Sequence, residues 1–161
     1  MTEGSNRGVF SLVFISTLLM ASCSGNVVFT DSVAMKDNVW SLTDMPVYRI
    51  PVTDTISGND LFFTLRTGSS YPFRNIFLFV TTTSPEGKSI TDTLEYQLAD
   101  EKGRWYGKGL GDINELRLPY KSNIFFPSTG TYQIRVQHGM RAEDLKGVYD
   151  FGLRVEKRAG Q

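Results

Sequence analysis

Apolar and polar residues alternate with a period of two along three segments of the chain, residues 90–98, 131–137 and 151–156. In the second segment Tyr132, Ile134 and Val136 alternate with polar residues. Such alternation is typical of strands in antiparallel sheets, which have one buried face and one face toward water. We therefore predict a strand at each of the three segments.

Two further segments are apolar at almost every position. Residues 61–65 read Leu-Phe-Phe-Thr-Leu, and residues 76–80 read Ile-Phe-Leu-Phe-Val. A strand that is apolar on both faces is typical of the interior of a sheet or of a sheet covered on its outer side. We predict that both segments are central strands, or strands whose outer face is covered by a loop or a partner.

Turn-forming residues separate these apolar segments. They lie at residues 57–60, 85–87, 101–103 and 127–130, and no long stretch has the period of a helix. The one predicted helical turn is residues 140–146, with Gly147 as its C-terminal cap. This arrangement predicts an all-β fold, an antiparallel β-sandwich of the immunoglobulin-like or jelly-roll-like kind.

The N-terminus has the pattern of a secretory signal peptide. Residues 9–20 form an apolar run, Arg7 precedes it, and the small residues Ala21 and Ser22 follow it. The run is shorter than the ~20 residues that a helix needs to cross a bilayer. We therefore expect this segment to direct export and not to span the membrane.

Cys23, the only cysteine of the chain, directly follows these small residues. This order resembles a bacterial lipobox, in which the cysteine thiol is acylated and the cysteine becomes the first residue of the mature protein. A lone cysteine cannot form an internal disulfide. We predict that Cys23 anchors the protein in a lipid bilayer; the alternative is a cleaved signal peptide followed by a cysteine without this role.

The predicted organisation has four parts: a signal peptide at 1–22, the lipidated cysteine and a tether at 23–36, a β-sandwich at 37–157 and a tail at 158–161. The part after residue 22 is long enough for one domain with a sizeable core. Lys plus Arg and Asp plus Glu each number 17, and this balance argues against nucleic acid as a partner. With no disulfide available, stability must come from packing, for which eleven Phe and seven Tyr supply large side chains.

Few residues could carry catalysis or bind a metal. His138 is the only histidine, and with Cys23 assigned to lipid it has no second ligand of the kind that zinc requires. No nucleophile-elbow motif is present. We interpret His138 as a polar loop residue, and Asp92, Asp100 and Asp112 as surface carboxylates because no metal-loop spacing links them. We predict no enzymatic activity, no cofactor and no metal.

A glycine-rich segment at residues 103–112 is the most unusual local feature. It contains a lysine but lacks the spacing of a phosphate-binding loop. One interpretation is a tight loop in which the glycines allow a positive φ and Trp105 covers the core. The other is an exposed recognition patch, because Arg, Trp and Tyr are enriched at binding hot spots. Both interpretations are open for the four residues concerned, which are Arg104, Trp105, Tyr106 and Lys108.

Several sequence blocks occur in a characteristic order: 71–79, 92–100, 103–112 and 130–132, then Met140-Arg141 with Leu145 and Gly147. Together they resemble the GldH gliding-motility lipoprotein family of Bacteroidota, over most of the mature chain. The resemblance implies a lipoprotein tied to gliding and to the associated type IX secretion machinery, without enzymatic activity. Family members also occur in gut bacteria that do not glide, so the resemblance also admits a role in envelope assembly or secretion. We add Arg141, from the last block, to the candidate patch.

Two functions from different classes follow as hypotheses. The first is a non-catalytic domain that binds other envelope or secretion-machinery proteins and takes no small-molecule substrate. The alternative is a carbohydrate- or peptidoglycan-binding module, since β-sandwiches can bind sugars through aromatic side chains. Residues 24–27 lack the acidic cluster that marks surface-exported lipoproteins in this phylum. We therefore expect the periplasmic face of the outer membrane, with the inner membrane as the alternative.

Overall fold

The computed structural model describes residues 26–158, except for the side chain of Leu110. The predicted signal peptide, Cys23 and the last three residues of the predicted tail lie outside the described residues. Within this part the chain forms eleven strands and one short 3-10 turn, at Lys36–Asn38. No helix among the described residues has the length and the apolar character of a membrane span.

The strands follow one another along the chain with short connections. In order they are β1 (Val27–Ala34), β2 (Val39–Ser41), β3 (Val47–Val52), β4 (Asn59–Gly68), β5 (Asn75–Thr83), β6 (Ser89–Gln97), β7 (Lys108–Leu110), β8 (Ile113–Ile124), β9 (Gly130–His138), β10 (Asp144–Lys146) and β11 (Val148–Lys157).

The strands form two main antiparallel sheets. One has the order β1-β11-β4-β8-β7, the other has the order β3-β9-β5-β6, and β2 and β10 make a separate two-stranded ribbon. The Tyr48 hydroxyl of β3 donates a buried hydrogen bond of 2.6 Å to the carbonyl of Phe151 in β11, which ties one sheet to the other. The predicted all-β antiparallel sandwich is confirmed.

The core lies between the two sheets and is built from every second residue of the facing strands. Leu61, Phe63 and Leu65 of β4 are buried, as are Ile76, Leu78 and Val80 of β5. The corresponding residues of β9 and β11 are Tyr132, Ile134, Val136, Phe151, Leu153 and Val155. Both β4 and β5 are interior strands of their sheets, as their apolar character predicted.

β6 departs from the alternation that predicted it. Ile90 is 62% exposed although it lies on the apolar side of the pattern, and Leu94 is only half-buried. β6 pairs with β5 alone and forms the edge of its sheet. An edge strand is covered on one side only, so its apolar face need not be fully buried.

The predicted helical turn at residues 140–146 is wrong. Residues 144–146 are β10, which pairs with β2 through the register Leu145–Trp40. Leu145 is fully buried between two exposed neighbours, which is the burial pattern of a strand. Pairing with a distant strand overrides the weak helical preference of a seven-residue segment. Gly147 has the expected positive φ, +78°, but it joins β10 to β11 and does not cap a helix.

The sandwich also begins earlier than the sequence suggested. Residues 27–34 were expected to belong to the tether, but they form β1, which pairs with β11 at the edge of the five-stranded sheet. Most of β1 is exposed, with a burial pattern too polar to be recognised as a strand from the sequence. Residues 27–34 therefore belong to the sandwich and not to the predicted tether, because the sheet starts at Val27.

The strands run between two ends of the sandwich. At one end, which we call the terminal end, the Asn26 carbonyl accepts a 2.6 Å hydrogen bond from Lys157, and Arg158 donates one of 2.8 Å to Gly58. The terminal end also carries the loops at 53–58, 84–88 and 125–129. The opposite end carries the loops at 42–46, 69–74, 98–107 and 139–143. Both described termini of the domain therefore lie at one end.

Candidate functional site

The glycine-rich segment borders a concave feature on the side of the sandwich, which runs from the opposite end toward the middle of β8. This feature is a cleft of about 590 Å³ between β6 and β8, which we call the β6–β8 cleft. Ten residues line it: Tyr96, Gln97, Tyr106, Gly107, Lys108, Glu115, Leu116, Arg117, Leu118 and Pro119. Leu116 and Leu118 are buried residues of the core, so the cleft has an apolar floor.

β8 has an open edge along the cleft because β7 is only three residues long. β7 and β8 are joined by a two-residue loop, and in such hairpins hydrogen-bonded pairs alternate with non-hydrogen-bonded pairs. This alternation directs the backbone N–H and C=O of Glu115 toward β7. The backbone groups of Arg117 point the same way, but β7 has ended there, so they face the cleft. The carbonyl of Pro119, on the same side, accepts a 2.7 Å hydrogen bond from the Tyr96 hydroxyl. Proline has no N–H, so it suits a strand edge without a partner.

β6 presents a second open edge to the cleft. Leu98 donates a 2.7 Å backbone hydrogen bond to Arg74, which continues the bonding of the even-numbered β6 residues to β5. The odd-numbered residues Glu95 and Gln97 consequently direct their backbone groups away from β5. At Gln97 this edge borders the cleft. Two strand edges without a paired strand among the described residues thus flank one apolar floor.

The 98–107 loop closes one end of the cleft. The Tyr106 N–H donates a 2.9 Å hydrogen bond to Leu98, and Trp105 forms a bridge with Ala99. Gly107 passes very close to β8, since a Cβ there would lie 2.5 Å from the carbonyl oxygen of Glu115. A larger residue at 107 would therefore push the loop off the strand.

The structure separates the candidate patch residues. The Trp105 ring is half-buried and contacts Tyr71 edge-on at 6.1 Å between ring centroids, so it packs against the core. Tyr106 is 65% exposed and lines the cleft together with Lys108. The structure therefore brings Tyr106 and Lys108 together at the cleft, while Trp105 supports the loop from beneath.

Arg104 and Arg141 lie at the same end but do not line the cleft. Arg104 is exposed and forms a 2.7 Å ion pair with Asp100. The Asp100 carboxylate also accepts hydrogen bonds from the backbone of Lys102 and of Arg104, and these bonds, with the guanidinium, lower the pKa of Asp100. Arg141 is exposed on the 139–143 loop. Within residues 26–158 no hydrogen bond or ion pair joins it to the other four residues of the candidate patch.

The three aspartates considered as metal ligands are not grouped. The Asp92 carboxylate accepts a 2.9 Å hydrogen bond from the Tyr120 hydroxyl and forms a 2.9 Å ion pair with Lys121. Lys121 is the main cause of the lowered pKa of Asp92. Asp100 is engaged with Arg104, and Asp112 lies in the exposed hairpin loop between β7 and β8. Among the described residues no group of three His, Cys, Asp or Glu side chains could hold a metal ion.

His138 is not a polar loop residue, as the sequence suggested, but the buried last residue of β9. It extends the inward alternation of Tyr132, Ile134 and Val136 by one step, and that pattern could have predicted its burial. Its ring packs edge-on against Trp40 at 5.6 Å. Neither ring nitrogen has a hydrogen-bond partner among the described residues.

We expect His138 to make the stability of the fold depend on pH. Burial lowers the pKa of His138 below the ordinary 6.5. The backbone of Glu143 and Trp40 and the charge of Asp144 raise the pKa, but their effect is smaller than that of burial. Those backbone groups do not meet the geometry of a hydrogen bond to either nitrogen. The unfolded chain binds a proton as the pH falls below 6.5, whereas the folded chain binds it only at lower pH, so the free energy of unfolding should decrease as the pH falls from 7.5 to 5.5.

Urea unfolding across this pH range would measure the effect, with His138→Phe as the matched variant. The phenylalanine keeps an aromatic ring against Trp40 but cannot titrate, so its unfolding free energy should stay constant between pH 7.5 and 5.5. Carboxylates such as Asp92, whose pKa lies below 3.8, lose their contribution only at lower pH. An unchanged pH dependence in His138→Phe would contradict the assignment to His138.

The fold and the cleft together define a class of protein, an antiparallel β-sandwich domain whose cleft is lined by apolar, aromatic and backbone hydrogen-bonding groups. The family model for the GldH lipoprotein matches residues 27–155, and the chain belongs to this family. The match begins at the first residue of β1. The resemblance inferred from the sequence blocks is confirmed.

Two relatives match over nearly their whole length. The chain is 32% identical to the gliding motility lipoprotein GldH homolog of Christiangramia forsetii, over 94% of this chain and 98% of the relative. It is also 32% identical to the gliding motility lipoprotein GldH of Flavobacterium johnsoniae, over 91% of this chain and 95% of the relative. The similarity therefore extends well beyond the blocks in which it was first seen.

Proposed function

We propose that this protein is a lipid-anchored lipoprotein of the gliding-motility and type IX secretion-associated envelope machinery, and that it acts by binding another envelope protein without catalysis. Membership of the GldH lipoprotein family and the names of the two relatives support the lipoprotein and motility parts of the proposal. The observation that carries the binding role is the β6–β8 cleft, where two open strand edges flank an apolar floor.

The position of the cleft fits an anchored binding protein. Cys23 precedes the terminal end, whereas the cleft runs along the side of the sandwich from the opposite end to Pro119, which pairs with Phe62 of β4. β4 connects the two ends with ten residues, a length of about 30 Å. The cleft therefore opens on the side of the domain, and the part of it lined by Tyr106 and Lys108 lies away from the anchored end, where a partner can reach it.

The proposed ligand is an extended segment of a partner protein. An exposed strand edge recognises such a segment through backbone hydrogen bonds, and pockets for alternate side chains give specificity. Here the backbone groups of Arg117 or Gln97 would pair with the segment, while Leu116 and Leu118 would receive its apolar side chains. Tyr106 and Lys108 lie at the margin of the cleft, where aromatic and basic residues contribute to binding.

We expect the double substitution Tyr106→Ala with Lys108→Ala to abolish partner capture while the fold stays intact. Both side chains are exposed, so the free energy of unfolding should change by less than about 0.5 kcal/mol. Crosslinking in the native envelope, followed by mass spectrometry of what co-purifies with the lipid-anchored protein, measures capture. Thermal unfolding of the same preparations measures folding.

A matched control replaces one cation and one exposed apolar residue elsewhere, Lys88→Ala with Ile90→Ala, and should capture partners normally. Trp105→Ala should instead lower stability by about 2 kcal/mol, because it removes a half-buried ring that packs on Tyr71. Normal capture by the Tyr106→Ala/Lys108→Ala protein would contradict a role for the cleft.

A carbohydrate- or peptidoglycan-binding module is the second candidate. The observation in its favour is that two tyrosines, Tyr96 and Tyr106, line the same cleft, as aromatic side chains do in many sugar sites. A glycan array that includes peptidoglycan fragments separates the two functions. Saccharide binding that is lost in Tyr106→Ala would favour the second candidate over protein docking.

We also propose that the domain faces the periplasm from the outer membrane. Residues 24–27 carry no acidic cluster after the cysteine, which supports retention on the periplasmic face. Protease treatment of intact cells tests this location. Release of the domain from intact cells would contradict it, and digestion only after the outer membrane is permeabilised would support it.

A further inference from the structure

We propose that the terminal end of the sandwich is a membrane-contact surface, on which Ile56, Phe125 and Val28 rest against the bilayer. This inference relies on the acylation of Cys23 in the proposed function and adds to it a second, non-covalent contact with the same membrane. That contact would orient the domain with the loops of the opposite end directed away from the lipid and the β6–β8 cleft open at the side.

The first observation is a group of exposed apolar side chains at the terminal end. Ile56 is 87% exposed, Phe125 is 54% exposed and Val28 is 50% exposed. Ile56 precedes Gly58 by two residues, and Val28 lines one pocket together with Asp54 and Asn59, which flank Gly58 in the sequence. A Cβ at Gly58 would lie 3.7 Å from the Phe125 ring. Large apolar side chains grouped at one end of a domain mark an interaction surface.

The second observation is the length of chain between the anchor and this surface. Cys23 lies three residues before Asn26. Three residues span no more than about 11 Å even when fully extended. The Asn26 carbonyl is fixed to the terminal end by its hydrogen bond from Lys157. The acyl chains on Cys23 therefore enter the bilayer within this distance of Asn26, whatever conformation the connecting residues adopt.

This short connection selects the bilayer over other occupants. A gap of at most about 11 Å is close to the diameter of a single helix with its side chains, so a folded partner or a second copy of this chain cannot fit between the terminal end and the lipid. Apolar side chains at an interface enter the boundary between headgroups and acyl chains by about 5–10 Å. The connection keeps Asn26 no more than about 11 Å from the lipid and lets the terminal end approach until this contact forms.

The third observation is that Ile56 is held in position by the fold. The Asp54 carboxylate accepts hydrogen bonds from the backbone of Ile56 at 2.9 Å and of Ser57 at 3.0 Å, and from the Ser57 hydroxyl at 2.6 Å. Lys157 pairs with the same carboxylate at 2.7 Å and balances its charge. The loop therefore presents Ile56 outward without leaving an unpaired anionic group beside it.

The other charges at this end are of both signs. Arg158 and Lys88 are exposed cations of the terminal end, and Glu86 is an exposed anion of the 84–88 loop. The Asp60 carboxylate at the start of β4 accepts hydrogen bonds from Ser122 and Asn123. Exposed lysine and arginine side chains at an interface place their charge among the headgroups while their stems stay with the apolar surface. The terminal end thus has an apolar centre with a mixed polar margin, which is the composition of an interfacial surface.

Depth-dependent fluorescence quenching tests the proposal on the full-length, lipidated protein reconstituted in phosphatidylcholine vesicles. Ile56→Cys and, separately, Lys102→Cys are labelled with an environment-sensitive fluorophore; acylation blocks Cys23, so each protein carries one reactive thiol. Position 56 should lose about half or more of its emission to quenchers attached near the top of the acyl chains. Position 102, in the 98–107 loop at the opposite end, should lose none.

A second set of proteins carries the label at Thr55→Cys. In the background Ile56→Ser with Phe125→Ser, quenching at position 55 should fall severalfold, while the matched background Met45→Ser, an exposed apolar residue of the opposite end, should leave it unchanged. Intact mass gives the acylation state of each preparation. Acylated protein with equal quenching at positions 56 and 102 would overturn the membrane contact and leave the anchor standing, whereas an unmodified Cys23 would overturn both.

Discussion

Protein carrying Cys23→Ala is expected to leave the membrane fraction and to be recovered in the soluble periplasmic fraction. The proposed anchor consists of two or three acyl chains, each of which contributes about 0.8 kcal/mol per buried methylene group, so the substitution removes nearly all of the affinity for the bilayer. The surface around Ile56 adds a contact but is too small to hold the domain alone. Fractionation with alkaline carbonate extraction, together with intact mass, measures the change.

The neighbouring substitution Ser24→Ala serves as the control, because it keeps the thiol and changes a residue of similar size. It should remain in the membrane fraction with the mass of the acylated protein. Cys23→Ala protein that resists carbonate extraction although its mass shows that residues 1–22 have been removed would contradict the lipid anchor. Retention at the mass of the whole chain would instead assign membrane binding to the uncleaved apolar run at residues 9–20.

Gly147→Ala is expected to lower the free energy of unfolding by about 3–4 kcal/mol, a large fraction of the ~5–15 kcal/mol typical of a domain. Gly147 has φ of +78°, which L-residues avoid, and a Cβ there would lie 2.4 Å from the backbone nitrogen of Tyr71. It cannot move away easily, because its N–H donates to Asn38 and its carbonyl accepts from Gly68. Denaturant unfolding monitored by tryptophan fluorescence measures the loss.

Gly87→Ala separates the two causes of this effect. Gly87 has almost the same φ, +83°, but no atom lies within 4 Å of its Cβ position. Its substitution should therefore cost only the conformational term, about 1–2 kcal/mol. Equal losses for the two substitutions would show that contact with Tyr71 contributes nothing, and would contradict the close packing of the β10–β11 turn.

Hydrophobic alternation was sufficient to predict the strands that face the core from the middle of a sheet. β9 and β11 bury every second residue, and β4 and β5 have neighbours on both sides, so their burial is determined by the local pattern. The same pattern failed for β10, where Leu145 is the only buried residue and pairing with β2 decides the structure. Three-residue strands depend on distant partners and have too few positions to show a period.

The candidate site was predictable only in part. The residue types of the glycine-rich segment indicated Tyr106 and Lys108. Tyr96 and Leu118 also line the cleft, but they come from β6 and β8, which are not consecutive strands and belong to different sheets. β8 itself was not predicted, because Pro119 interrupts its pattern and proline normally argues against a strand. The structure resolves this conflict, since Pro119 lies where β8 has no paired strand on that side.

β1 gives the domain a particular mechanical character. It is the first strand after the anchor, it runs from the terminal end toward the opposite end, and it pairs with β11 from Val27 to Ala34. Under the proposed function, tension between the bilayer and a partner bound in the cleft would act largely along the axis of β1 and load all of these pairs in shear at the same moment. A pull at right angles would instead separate the pairs one by one. An edge strand in this position would therefore let the domain transmit force from the membrane to the bound partner.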